Sequence, residues 1–207
     1  MPTLYTMPGT CALAPNIAVA WLNAPVEINN LAFGDHHKPE YLAINATGKV
    51  PSLAFEDGDV LTETVAILEY LGATWGKTKN ARDTVVGRKE AEALSYMATA
   101  VYGDFAPHFA VQNFAASRAA RDEVKANAYV KLRAHFDRLN RQLQDSDGDW
   151  LLGRQTFADA YLHVLTRWIE QTPMSIHDFP ALAKHRQRMQ SNTAVKLALI
   201  RQKMKPI

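Results

Sequence analysis

The only cysteine in the chain, Cys11, is the residue best placed to do chemistry. It follows a short strand candidate, Thr3–Thr6, and a turn cluster, Met7-Pro8-Gly9-Thr10, and it precedes a helical pattern from Ala14 to Asn23. The first turn of a helix carries unpaired N–H groups and a partial positive charge. A thiol held there is expected to ionise more readily and to act as a nucleophile or redox centre. The alternative is a small buried hydrophobe, the usual fate of a lone cysteine. Ala14 occupies the position where a C-x-x-C pair would need its second thiol, so any redox role requires an external one.

Three further signals follow along the chain. Pro51 opens the apolar run Val50–Phe55. Proline cannot donate to a sheet, so it belongs at a strand start or edge. If the Val50–Pro51 bond is cis, Val50 turns its backbone N–H and C=O towards an extended peptide; a plain strand-start proline is the alternative. Thr62-Glu63-Thr64 heads the apolar stripe Val65, Ile67, Leu68 and Leu71. It reads either as helix capping or as a cradle for a zwitterionic α-amino acid end, with helix donors on the carboxylate and Glu63 on the ammonium. Thr156-Phe157-Ala158-Asp159 has the spacing of a capping box and is assigned to folding. His36 and His37 lie in a polar loop with Asp35, where one of them could meet a ligand carboxylate. Adjacent histidines and scattered others do not have metal-ligand spacing, so no metal is expected.

The elements that must position these groups change character near residue 80. Before it, the order reads β-α-β-α-β-β-α, with Asp57-Gly58 between two apolar runs as a hairpin signal. Beyond a polar linker at Asn80–Val86, helices are predicted over Arg88–Tyr102, Arg118–Gln144, Phe157–Gln171 and Pro180–Met204. In the second of these, Val124, Ala128, Leu132, Phe136, Leu139 and Leu143 form one apolar face.

The balance of 23 Lys+Arg against 21 Asp+Glu in 207 residues argues against nucleic acid as a partner. No apolar run approaches the roughly 20 residues that span a bilayer, and Pro2, Thr3, Pro8 and Gly9 interrupt any signal-peptide pattern. A cytoplasmic protein without a membrane partner is expected.

Taken together, the motifs resemble the cytosolic glutathione S-transferases, most closely the bacterial beta class. Tyr5 to Pro15 is similar to the first strand, active-site loop and cysteine of that class. Lys49-Val50-Pro51-Ser52-Leu53 is similar to its cis-proline segment, and Leu61 to Leu71 to its γ-glutamyl-binding turn and following helix. Thr156 to Leu162 resembles the capping box of its helical domain. The resemblance spans essentially the whole chain, with the four motifs in family order.

It implies a thioredoxin-like α/β domain over residues 1–78, an all-α helical-bundle domain over 86–207, and a homodimer. It also implies glutathione as co-substrate and a small hydrophobic electrophile or a disulfide as second substrate. Val50 would pair its backbone with the cysteinyl part of glutathione, Glu63 and Thr64 would hold the γ-glutamyl end, and Lys49 would lie beside them. His37 is a further candidate contact. Two departures stand out: Ala12 replaces the serine that usually follows the cysteine, and Tyr102-Gly103 replaces a His-Lys pair from the helical domain. Tyr102 is therefore a second catalytic candidate after Cys11. Either Cys11 steadies a glutathione thiolate that attacks an electrophile, or it forms a mixed disulfide with glutathione; the loss of the His-Lys pair favours the latter. A non-catalytic binding protein on the same fold is the alternative function.

Overall fold

The computed structural model describes residues 1–76, 83–146 and 148–205, which divide into two compact units, residues 1–88 with 189–207 and residues 89–188. The first unit is an α/β domain of the thioredoxin-like kind, and the second is all-helical. The linker expected at Asn80–Val86 falls partly outside the described residues; its described end contains the start of a helix at Val85.

The first unit is built on a four-stranded sheet of β1 (Thr3–Thr6), β2 (Glu27–Asn30), β3 (Ser52–Ala54) and β4 (Val60–Thr62), in the order β2-β1-β3-β4. β1 runs parallel to β2 and antiparallel to β3, and β3 runs antiparallel to β4. Register then decides where the loops go. Thr6 pairs with Asn30, Tyr5 with Ser52, and Ser52 with Thr62. The segments that follow β1, β2 and β4, and the one that precedes β3, therefore all emerge at one end of the sheet. These are the segments that carry Cys11, His37, Glu63 and Val50.

Two helices of this unit, α1 (Leu13–Leu22) and α3 (Thr64–Trp75), pack against each other. The sheet contributes Leu4 and Leu53 to the core and the helices contribute Ile17, Ile67, Leu68 and Leu71, all fully buried. α2 is a single turn, Pro39–Leu42.

In the second unit, α4 (Val85–Tyr96) runs through a π-helical turn at Met97–Val101 into α5 (Tyr102–Ala110), so the helix expected to end at Tyr102 continues. α6 (Arg118–Asp145) buries Ala128, Leu132, Phe136, Leu139 and Leu143, the stripe expected from its spacing. α7 (Phe157–Ile169) begins at the capping box: Asp159 accepts from the Thr156 N–H at 2.8 Å.

The helix expected over Pro180–Met204 is two helices, α8 (Pro180–Ser191) and α9 (Thr193–Arg201). Asn192 breaks it by adopting an extended conformation, from which its carboxamide oxygen accepts the N–H groups of Ala194 and Val195 at 3.0 and 3.3 Å and the indole N–H of Trp21 at 3.1 Å. An asparagine that satisfies two orphan donors at once is a strong helix start. The break sends α9 onto α1, so residues 189–207 belong with the α/β unit rather than with the helical one. Among the described residues no helix is long and apolar enough to cross a membrane.

One buried group in α7 makes the fold sensitive to acid. His163 is fully buried, and among the described residues neither ring nitrogen has a hydrogen-bond partner. Burial, reinforced by the Arg167, His185 and Arg186 charges, holds its pKa well below the usual imidazole range. The unfolded chain takes up that proton below about pH 6.5, and the folded chain does not. Stability is thus present above that pH and lost as pH falls through it. Urea unfolding should show a loss of roughly 1 kcal/mol from this group between pH 7 and 5.5, and His163→Leu should remove that share of the acid slope.

Candidate functional site

At the loop end of the sheet, Thr10 prepares the ground for Cys11. Its hydroxyl donates to the Met7 carbonyl at 2.8 Å and accepts from the Ala12 N–H at 3.3 Å, closing the turn and standing in for a cap at the head of α1. Ala12, the N-cap residue, has no side chain that can do this. Cys11 thus lies one residue outside the helix, partly exposed, with its carbonyl accepting from the Ala14 N–H.

The thiol faces the residues expected around it. Its Sγ–H donates to the Val50 carbonyl at 3.7 Å, and the Thr64 side chain is within hydrogen-bonding reach. The expectation that the helix terminus lowers its pKa does not hold. Burial pushes the Cys11 thiol up; hydrogen bonds from Thr64 and from the backbone pull it down by less, and the Glu63 carboxylate adds a further push upward. Desolvation costs the thiolate more than the neighbouring donors return. At neutral pH Cys11 is therefore a protonated thiol, a hydrogen-bond donor.

The Val50–Pro51 bond is cis. Among the described residues nothing accepts the Val50 N–H, which leaves it available to an incoming peptide. Lys49 is exposed beside it.

Glu63 caps α3 with φ 68° and ψ 124°, a conformation that L-residues rarely adopt. Non-glycine residues held there cost on the order of 1–3 kcal/mol and cluster at ligand clamps. Thr64 behind it is buried and Glu63 itself is exposed, so a fixed turn presents its carboxylate to solvent. Cys11, Val50, Pro51, Glu63 and Thr64 are brought together, while His37 is exposed and lies against Gly48. Gly48 has φ 62°, and a Cβ there would meet the His36 carbonyl at 3.0 Å and His37 Nδ1 at 3.4 Å. The histidine loop thus braces the turn before Lys49.

Sequence reasoning missed the residues underneath. Tyr41, Asn45 and Ser52 are buried and all bond to the Lys49 carbonyl or to one another. The available signal was Asn45-Ala46-Thr47, an Asx turn in which Asn45 Oδ1 accepts from the Thr47 N–H at 3.1 Å.

Tyr102 belongs to the helical unit. It is 39% exposed and its ring lies 5.7 Å from Trp168, which also meets Phe105 and Phe109 edge-on at 5.3 and 5.1 Å. Phe109 is exposed as well, so an aromatic face is open on α5. Gly103 leaves open space where a side chain could stand. His135 brackets the π-helical turn before Tyr102: its Nδ1 meets the Tyr96 hydroxyl at 2.6 Å and its Nε2 meets Asp104 at 2.9 Å. Among the described residues no group of three His, Cys, Asp or Glu side chains could hold a metal ion.

Comparison with known proteins agrees with this geometry. The family model described as "Glutathione S-transferase, N-terminal domain" matches residues 2–73, and that described as "Glutathione S-transferase, C-terminal domain" matches residues 103–198. A Xanthomonas campestris protein named glutathione S-transferase GST-4.5 is 32% identical over 199 residues, covering 95% of this chain and 96% of its own. A sphingomonad glutathione S-transferase solved with glutathione superposes with a TM-score of 0.84 at 26% identity, over 98% of this chain and 100% of that one. A beta-class glutathione S-transferase from Sphingomonas chungbukensis gives 0.85 at 25% identity, with the same coverage.

The balance of forces on the thiol is measurable. The pH profile of Cys11 alkylation by iodoacetamide should have its midpoint above the ordinary thiol range, and Thr64→Val should move it higher still by removing a hydrogen bond that favours the thiolate. A midpoint near neutrality would contradict the burial argument.

Proposed function

The chain belongs to the glutathione S-transferase family, and from that premise we propose that it conjugates glutathione to a small hydrophobic electrophile, with Cys11 as the donor that steadies the attacking sulfur. The observation that carries this reading is the Cys11 Sγ lying 3.7 Å from the Val50 carbonyl, next to the cis Val50–Pro51 bond. A tripeptide extended along residues 50–64 would pair its cysteinyl N–H and C=O with the Val50 C=O and N–H. Its γ-glutamyl ammonium would meet Glu63, and its carboxylate the hydroxyl and N–H of Thr64 at the head of α3, with Lys49 close by. That register delivers the substrate sulfur to position 11.

The chemistry is then simple. Glutathione gives up its thiol proton to solvent, and the thiolate accepts a hydrogen bond from Cys11 Sγ–H, which lowers its pKa by favouring the charged form. The sulfur attacks the electrophilic carbon, an S–C bond forms, and the leaving group departs with its electron pair. Cys11 keeps its proton throughout. The Tyr102 and Phe109 rings, exposed on α5, suit an aromatic electrophile by stacking, and Tyr102 is the proposed polar contact for it. A homodimer and a cytoplasmic location fit the family and the single free thiol.

A second reading, thiol–disulfide exchange, draws on the partial exposure of Cys11. Here the Cys11 thiolate would attack a glutathione mixed disulfide, releasing the other thiol. A second glutathione thiolate would then free Cys11 as glutathione disulfide leaves. The raised thiol pKa argues against this route at neutral pH. If it operates, the Cys11–glutathione adduct seen by mass spectrometry after treatment with glutathione disulfide should grow steeply with alkaline pH and vanish in Cys11→Ala.

With an aryl halide and glutathione, Cys11→Ala should lower kcat/KM by about tenfold or more, the scale of one hydrogen bond to a charged atom, with binding of glutathione retained. An unchanged rate would remove Cys11 from the reaction. Glu63→Ala should weaken glutathione binding by about 1.5–3 kcal/mol in titration calorimetry; an unchanged Kd would place the ammonium elsewhere.

A further inference from the structure

The groups that bind the cysteinyl part of the substrate in this reading are backbone atoms, and something must hold that backbone still. The Lys49 carbonyl accepts from the Tyr41 hydroxyl at 2.5 Å and from Asn45 Nδ2 at 2.9 Å. The second Asn45 Nδ2 proton goes to Ser52 Oγ at 3.0 Å, and the Ser52 hydroxyl lies 2.9 Å from the Tyr41 oxygen. With the Tyr41 proton on the Lys49 carbonyl, the Ser52 hydroxyl donates to the Tyr41 oxygen at 2.9 Å in preference to its longer contact with the Lys49 carbonyl at 3.5 Å, and Asn45 donates to both Lys49 and Ser52. The Asn45 carboxamide oxygen is occupied in turn by the N–H and hydroxyl of Thr47, at 3.1 and 2.8 Å. Ser52 is fully buried, and Tyr41 and Asn45 are 3% and 7% exposed. A buried polar group left unpaired is costly, so a fully paired cluster has one preferred arrangement.

The direction of these bonds matters. The Lys49–Val50 peptide is planar and trans, so its carbonyl and its N–H point opposite ways. Two donors grip the carbonyl from inside the fold, and the Val50 N–H must therefore face outward, where nothing in the described chain accepts it. Resting on the proposed glutathione reading, we infer that Tyr41, Asn45 and Ser52 are positioning residues, which orient the Val50 N–H towards the cysteinyl carbonyl of the bound tripeptide before it arrives. Pre-set orientation removes an ordering cost that binding would otherwise bear.

Tyr41→Phe tests this most cleanly, since it keeps the ring that packs 5.6 Å from Tyr5 and removes only the hydroxyl. In titration calorimetry on the full chain the variant should bind glutathione about fivefold more weakly, within the range of one lost hydrogen bond. The decisive comparison uses a glutathione analogue whose cysteinyl carbonyl is replaced by a methylene. That analogue cannot use the Val50 N–H, so Tyr41→Phe should leave its Kd unchanged. Ser52→Ala, a smaller excision that keeps the two short grips on the Lys49 carbonyl and removes only the 3.5 Å contact to it, should show the same pattern at about twofold. Equal weakening for glutathione and the analogue would mean general loosening of the unit and would overturn the inference. So would full glutathione affinity in Tyr41→Phe. A parent chain that binds neither ligand would overturn the glutathione reading itself, a result the variants are not needed to recognise.

Discussion

The site depends on the pairing register of three short strands. Because Tyr5 lies opposite Ser52 and Ser52 opposite Thr62, the chain leaves β1, enters β3 and leaves β4 at the same end of the sheet. A slip of one residue would turn Leu4 and Leu53 out of the core and reverse every side chain on those strands. The pairing that buries the core therefore also sets Cys11, Val50 and Glu63 side by side. Folding and site assembly are one event in this unit.

What gathers at that end is mostly backbone. Val50 offers its N–H and C=O, and Thr64 opens a helix. Glu63 supplies charge from a turn whose φ of 68° is held by the helix behind it. The backbone groups among these have no rotamers to lose, but they are only as well aimed as the chain that carries them. Hence the depth of support below: the Tyr41–Asn45–Ser52 cluster beneath Lys49, and the histidine loop against Gly48. The same packing desolvates Cys11 and pushes its thiol pKa up. A thiol in that environment keeps its proton, which suits it to stabilise another sulfur's charge rather than to carry one.

The helical unit answers a different requirement. Its capping box fixes where α7 begins, and the π-helical turn braced by His135 leads into α5. Tyr102 and Phe109 then share one aromatic face with Trp168. Asn192 separates the two last helices, and the final one stabilises the α/β unit by packing on α1. The end of the chain thus serves the domain at its beginning.

The motifs at positions 11, 50–51, 63–64 and 156–159 were legible by themselves because each depends on residue types at fixed short spacing: a thiol before a helix, a proline opening a strand, an acid and hydroxyl at a helix head, a Thr-Asp box. So was the fold class, since hydrophobic periodicity is a local property of the chain. Three things needed the tertiary structure. The cap at Asn192 that breaks the last helix also takes a hydrogen bond from Trp21, a partner 171 positions away. The cluster beneath Lys49 is made of residues that read separately as a short helix, a turn and a strand. The pKa of Cys11 follows from burial, and burial is a property of everything packed around a group, not of its neighbours in sequence.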